Sequence, residues 1–384
     1  MKNIAFVFDG LGEGGIERVG IDYIKLCKKL GYNIDVYNLN PSQMLSEKKL
    51  PEDVKVYHKK FPKELCPEIF SYGIQKWWWG KYAYVLISPI ITILQGLIKL
   101  FSKKRKYDVA VAMAGHINDI SFVGKNFIKG KKKIAWCHGT IISYLAICDA
   151  YSILYKKFDK FVVLSGADQK DIYAGRQYLY SKIIQKMYNP TFFSADKCNK
   201  EHVEELKKLY GDFTVMVARF SKEKNHETAI KTIKALKERG IDKKFVFIGS
   251  GVELEKIKQL AVKEGVEENC IFTGHRDDVQ DYIAASYINL LTSKWEGLPT
   301  VIVEAMTLGK PCVMTNSDDG EVSGNGKYCI LTEVENVEQL AEALYQLYTD
   351  KNVYKKYQES ALERAKAFTP EKIQEELKVL LEAE

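Results

Sequence analysis

The stretch Trp295-Glu-Gly-Leu-Pro-Thr-Val-Ile-Val-Glu-Ala-Met-Thr-Leu-Gly-Lys-Pro-Cys-Val313 decides how the chain is read. Its first part is a turn and its second an apolar run of helical length. Pro299 and Thr300 suit a first helical turn, and Gly309 with Pro311 suits an ending. An eight-residue helix is therefore expected. Tyr287–Leu291 upstream reads as a buried strand, and Pro311–Thr315 downstream as another. The backbone N–H groups of the Gly297–Thr300 turn precede any helical hydrogen-bond ladder and point off the helix start, which makes an anion site. Two carboxylates flank it, Glu296 before the turn and Glu304 inside the helix. A phosphate-attracting helix start beside acceptors for hydroxyl groups fits a nucleotide sugar. The plainer reading makes Glu296 a partner of the helix dipole and Glu304 a solvated helix residue.

A chain of 384 residues with 46% apolar content is long enough for two domains, each with its own core. It opens Met-Lys-Asn straight into the strand-like Ile4–Phe8, so no signal peptide and a cytoplasmic location are expected. Eight cysteines lie scattered without a Cys-x-x-Cys pair, which argues against a zinc site or a disulfide framework and for core thiols. Charge is uneven. Residues 1–190 carry 30 Lys and Arg against 16 Asp and Glu, a balance of +14, while residues 191–384 carry 27 against 34. The first half is thus expected to face something anionic, such as a membrane surface, a lipid phosphate or an acidic polymer.

Residues 3–8 read as a central strand, Asp9–Gly15 as a glycine-rich loop, Ile16–Leu30 as an amphipathic helix and Asn33–Tyr37 as the next strand. That order opens a doubly wound α/β domain. Gly10, Gly12 and Gly15 formally satisfy a dinucleotide-binding fingerprint, so an NAD-dependent enzyme is a rival reading. The fingerprint also needs an acid near the end of the second strand, where this chain has Asn38 and Asn40. Trp77-Trp78-Trp79, the apolar run Tyr82–Phe101 and Lys103-Lys104-Arg105-Lys106 form an unusual block. The run approaches the roughly 20 apolar residues that cross a bilayer, yet contains Ser88, Pro89, Thr92, Gln95 and Lys99. It reads as a soluble helix packed on the sheet, an interfacial segment or a span, with the soluble helix placed first.

Two histidines follow strands of the first half: His116 after Asp108–Met113, and His138 after Lys133–Cys137. Carboxyl ends of strands are where open α/β sheets bind ligands, although an isolated histidine is more often structural. In the second half, strand Phe213–Ala218 delivers Arg219 and Lys224 to a turn before a helix at His226. Two cations at a helix start suit a diphosphate, or else are plain surface charge.

The Glu296-to-Glu304 segment closely resembles the Glu-x7-Glu motif of the retaining family 4 glycosyltransferases, with Gly-Leu-Pro between the acids and Glu-Ala-Met and Gly-Lys-Pro following. Arg219 and Lys224 resemble the family's Arg-x4-Lys, and Gly14-Gly15-Ile-Glu its Gly-Gly-x-Glu loop. The resemblance spans the whole chain, strongest from 213 to 331 and weakest from 40 to 130. It implies the α/β class and the GT-B fold: two doubly wound Rossmann-like domains facing across a cleft. Residues 1–190 would form the acceptor side, 191–368 would bind the donor, and a last helix at 369–384 would pack back on the first domain.

For the site, the resemblance implies catalytic roles for Glu296, Arg219, Lys224 and His138. Donor binding would fall to Gly14, Gly15, Arg219, Lys224, Gly297, Leu298, Pro299, Thr300 and Glu304. Glu296 would lie by the donor sugar, Glu304 by the ribose, and the loop at His275–Val279 by the base. The implied reaction moves a sugar from a nucleotide sugar, expected to be a UDP-sugar, to a hydroxyl of a glycan acceptor with retention. The acceptor is expected to be lipid-linked, as in bacterial-type surface polysaccharide synthesis. No cofactor and no metal are implied, since the chain lacks an Asp-x-Asp motif. Expected partners are the donor, the acceptor and an anionic membrane surface on the cytoplasmic side, with no nucleic acid. The remaining alternatives are the NAD-dependent enzyme and a non-catalytic nucleotide-sugar-binding protein.

Overall fold

A computed structural model describes residues 1–12, 14–70, 77–101, 105–139, 154–166, 184–318 and 320–383. Its contacts divide the chain into two compact units, one of Met1–Pro190 with Pro370–Glu384 and one of Thr191–Thr369.

The first unit is built on a parallel sheet of β1 (Asn3–Phe8), β2 (Asn33–Asn38), β3 (Lys55–His58), β4 (Lys106–Ala112), β5 (Lys129–Trp136), β6 (Lys160–Val163) and β7 (Ile184–Lys186). Their order is β3-β2-β1-β4-β5-β6-β7. Ile4 to Phe8 are all buried, as a parallel strand covered on both faces requires. The Gly15–Lys29 helix leads from β1 to β2 and buries Val19, Tyr23, Ile24 and Cys27; Tyr23 packs on Trp136 with ring centroids 4.8 Å apart. The Pro370–Glu382 helix belongs to this unit, held by Lys2 Nζ on the Leu381 carbonyl at 2.8 Å and Tyr32 Oη on Glu382 at 2.7 Å.

The second unit holds β8 (Thr214–Val217), β9 (Phe245–Ile248), β10 (Cys270–Gly274), β11 (Ile288–Leu291), β12 (Cys312–Thr315) and β13 (Ile330–Thr332). All pairs are parallel, in the order β10-β9-β8-β11-β12-β13. The central strands are short and almost wholly buried, and parallel pairs need crossovers. Helices such as His226–Glu238, Leu254–Lys263 and Thr300–Thr307 supply them. Both domains are Rossmann-like. In each, strand order reverses at one point, between β1 and β4 and between β8 and β11. Ligand crevices of open α/β sheets form at the carboxyl ends of strands at such points.

The unusual block forms a helix from Gly80 to Phe101, which corrects the reading placed first. A helix buried on the sheet would hide its apolar side chains, yet Tyr82, Val85, Leu86, Ile90, Ile93 and Leu100 are exposed. Only the opposite side meets the domain, where Gln95 is buried and Ile98 packs against the core. Lys103 and Lys104 lie outside the described residues.

Candidate functional site

At the reversal in the second sheet, the connection after β8 and the one after β11 are laced together. Lys294 N donates to Glu223 O at 2.8 Å, and Thr292 Oγ1 to the carbonyls of Lys224 and Asn225 at 3.1 and 3.0 Å. Glu296 N donates to Ser317 O beyond β12 at 2.7 Å, and Thr315 Oγ1 to Ser293 O. This backbone lattice places two charges against each other. Lys224 Nζ lies 2.6 Å from Glu296 Oε1, and Ser293 Oγ donates to that same oxygen at 2.6 Å. A short charge-assisted pair of this kind is among the stronger polar contacts. Arg219 follows β8 but stands apart from the pair: its guanidinium is exposed and reaches Glu223 at 3.3 Å.

The Thr300–Thr307 helix begins after Pro299, and its first bonds run from Ile302 N and Val303 N to Pro299 O. The amides of Gly297 and Leu298 therefore precede the ladder, at the positive end of the helix. Glu304 sits inside this helix, almost wholly buried, which sets aside the plain reading of it as a solvated residue. Beside β8, Gly249 and Gly251 have φ of +146° and +155°, and a Cβ on either would collide with the Ala218 or Phe220 carbonyl. Only glycine lets the turn after β9 lie so close to the Arg219 loop.

Lys224 is followed by Asn225 in the left-handed region, which starts the His226–Glu238 helix. The His226 ring stacks on Phe220 at 4.0 Å, and among the described residues neither ring nitrogen has a hydrogen-bond partner. Burial pushes its pKa down to about 3, helped by the Lys224 charge, so the imidazole is neutral. In the loop after β10, Arg276 is paired with Asp278 through two of its nitrogens, at 2.8 and 2.5 Å.

The first sheet has a parallel arrangement at its own reversal. Asp9 ends β1 and accepts from His116 Nδ1 at 2.8 Å across the gap to β4, with Asn118 bonded to its other oxygen. Burial works to raise the Asp9 pKa, but the bonds from His116 and Asn118 outweigh it and hold the carboxyl below its usual value. His116 is correspondingly raised, chiefly by Asp9. Asp119 supports the loop from behind, accepting the Ala114 and Gly115 amides at 2.8 and 3.0 Å, and burial pushes its pKa up to about 7. His138 follows β5, and its Nε2 must donate to the Met113 carbonyl at 2.8 Å, since a carbonyl only accepts. Burial pushes its pKa down to about 4, against that bond, leaving a neutral ring with its lone pair on Nδ1. Gly14 is the extended residue before the Gly15–Lys29 helix, and a Cβ on Gly15 would meet nothing within 4 Å among the described residues.

The structure thus brings Lys224 and Glu296 together, with Gly297–Thr300 and Glu304 on the same segment; Gly14, Gly15 and His138 occupy strand ends of the first domain. Sequence reading missed Asp9, Asn118 and Ser293. Asp9 closes an apolar strand directly before the glycine loop, and that position was its one signal. The NAD reading loses its acid: Asp35 lies mid-strand, bonded by Tyr107 Oη at 2.7 Å, while Asn38 at the strand end is occupied by Gln43 and Glu47.

Residues 199–364 match the family described as Glycosyl transferases group 1. An uncharacterized glycosyltransferase of Haemophilus influenzae is 26% identical over 99% of this chain and 100% of its own length. The N-acetylgalactosamine-N,N'-diacetylbacillosaminyl-diphospho-undecaprenol 4-alpha-N-acetylgalactosaminyltransferase of Campylobacter jejuni is 28% identical over 60% of this chain and 62% of its own. Among solved structures, Anabaena HepE in complex with UDP-glucose superposes with a TM-score of 0.75 at 17% identity, covering 100% of both chains.

Proposed function

We propose, from the premise that this chain is a glycosyltransferase whose second domain belongs to the glycosyl transferases group 1, that it moves a sugar from a UDP-sugar to a hydroxyl of a lipid-linked glycan, with retention. The observation that carries this reading is the Lys224–Glu296 pair at the strand-order reversal of the second domain. Lys224, Arg219 and the amides near Gly297 hold the leaving diphosphate, each charge-assisted bond contributing about 1.5–3 kcal/mol. Glu296 accepts from sugar hydroxyls and Glu304 from the ribose. The bond from the anomeric carbon to the diphosphate breaks, the acceptor oxygen attacks the same face, and its proton passes to the departing diphosphate oxygen. Side-chain cations and amides supply the charge stabilisation, so no metal is required. His138 and the Gly14–Gly15 loop stand at strand ends of the first domain, where open α/β sheets bind ligands.

HepE was solved with UDP-glucose, and the Campylobacter relative is named for an undecaprenol-linked acceptor; both support the donor and acceptor classes. A lipid-linked acceptor calls for work at the cytoplasmic face of the membrane, and the +14 balance of residues 1–190 favours peripheral attachment through the first domain. Surface polysaccharide assembly is the setting such an acceptor fits. The test is a panel of UDP-, GDP- and ADP-sugars screened by thermal shift and then by turnover. Stabilisation and turnover restricted to UDP-sugars support the reading; the absence of both with every donor overturns it.

A further inference from the structure

The Gly80–Phe101 helix leaves in the open an apolar side that a core helix would bury. Its apolar residues Val85, Leu86, Ile90, Ile93, Leu97 and Leu100 recur at three- and four-residue spacing and so share one side. That side faces outward, with Leu86 69% and Ile93 66% exposed, and Trp78 at its amino end is 87% exposed. The side that meets the protein is mixed, with Ile87, Ile91 and Ile98 half-buried beside the buried Gln95. Gln95 Nε2 donates to the Leu65 carbonyl at 2.6 Å, and Lys125 Nζ donates to Gln95 Oε1 at 3.2 Å. By length and composition the Gly80–Leu100 stretch is long and apolar enough to cross a membrane. Gln95, tied to Leu65 and Lys125, would not sit in hydrocarbon, where polar groups are costly.

Behind the helix lies a pocket of about 870 Å³ lined by Lys99, Lys125, Lys133 and Lys157, with Ser88 and Thr92 from the helix. One carboxylate, Glu68, shares the lining and pairs with Lys125 at 2.6 Å. Burial, and then the neighbouring Lys125 charge, hold the Lys157 ammonium below its usual pKa, against Glu68, while Asp159 acts on Lys133. Lys125 and Lys157 stand in the connections that enter β5 and β6. Asp9, His116 and His138 lie at the opposite, carboxyl edge of the same sheet. The lysine pocket is therefore separate from the strand ends given to glycosyl transfer.

We infer that this face docks on an anionic bilayer: the Gly80–Phe101 helix lies in the plane of the interface with its apolar stripe among the acyl chains, and the lysine pocket behind it takes the headgroup phosphate of an anionic lipid. Charge complementarity commits the surface to that occupant, because an apolar stripe alone would accept a neutral membrane, whereas four lysines beside it call for phosphate. The inference rests on the peripheral attachment proposed above and adds the site that selects the lipid.

The experiment is co-sedimentation of the full chain with vesicles of phosphatidylcholine, with and without phosphatidylglycerol. The parent is compared with K133Q/K157Q and with L86S/I90S/I93S, each checked by circular dichroism and by donor turnover. The parent should bind the anionic vesicles at least tenfold better than the neutral ones. K133Q/K157Q should lose that preference while keeping weak binding to both vesicles and unchanged turnover. L86S/I90S/I93S should bind neither. If K133Q/K157Q keeps the parent's preference, the pocket is overturned as the headgroup site while attachment stands. Failure of the parent to bind any vesicle overturns attachment itself, and stabilisation by inorganic phosphate in that case assigns the pocket to a soluble anion. Release by detergent alone, and not by salt, overturns the in-plane placement in favour of a span.

Discussion

Lys224 Nζ lies 2.6 Å from Glu296 Oε1 and ties the end of β8 to the end of β11, the two neighbours between which the second sheet reverses its strand order. Both side chains are mostly buried, at 21% and 12% exposure, so each charge depends on the other. Removing one partner of such a pair leaves the other poorly solvated, which costs more than the pair itself contributes. The same lattice, through the Glu296 N bond to Ser317 O, also holds the Gly297 turn that follows Glu296 directly.

Replacing Lys224 with Ala is expected to lower turnover of the donor by about 10²–10³, the range for loss of one preorganised stabiliser of developing charge. The fold should persist, because the hydrogen bonds from Lys294 N, Thr292 Oγ1 and Glu296 N do not involve the ammonium. Steady-state kinetics with circular dichroism check this; unchanged turnover contradicts the assigned role.

Glu304→Ala should weaken nucleotide binding by about tenfold, the equivalent of one lost hydrogen bond to a charged group. A ribose contact persists from ground state to transition state, so the loss belongs in KM and leaves kcat close to the parent value. Calorimetric titration with UDP measures it directly. A fall in kcat at constant KM would move Glu304 from ribose binding to the chemical step.

Activity should survive EDTA, since Arg219, Lys224 and backbone amides carry the diphosphate in this account. Loss of turnover restored specifically by Mg²⁺ or Mn²⁺ would contradict it.

The buried His226 predicts an acid-sensitive second domain. Its folded pKa, pushed down to about 3, lies below the roughly 6.5 of an unfolded histidine. Between those values the unfolded chain binds a proton that the folded chain does not, so stability falls as pH drops below about 6.5. The loss should reach about 1–2 kcal/mol by pH 5. The difference in urea midpoint between pH 7 and pH 5 should shrink in His226→Leu, and an identical difference in parent and variant would contradict this origin.

Where an element's own pattern decides its fate, the sequence was legible. The Thr300–Thr307 helix is bracketed by Pro299 and by Gly309-Lys-Pro, and the central strands of both sheets are short apolar runs that only a doubly covered sheet can bury, whereas the edge strands Lys55–His58, Ile184–Lys186 and Ile330–Thr332 are too short to announce themselves. The Gly80–Phe101 helix was legible as a helix but not in its orientation, because a stripe of Val85, Leu86, Ile90 and Ile93 reads the same whether it faces a core or a bilayer. Pairings across strand ends were hidden for a different reason. Lys224 and Glu296 are 72 positions apart and Asp9 and His116 are 107 apart, so only the sheet order makes each pair neighbours. Asp9, Asn118 and Ser293 carry no local pattern that announces a partner so distant.

The most direct test of sugar transfer with retention is proton NMR of the reaction in progress, with a UDP-sugar of defined anomeric configuration and a lipid-linked or analogue acceptor. The account predicts that the first glycoside signal carries the donor's own anomeric coupling constant and grows as UDP is released. A product with the opposite anomeric configuration, or UDP release with no glycoside in the presence of acceptor, would contradict it.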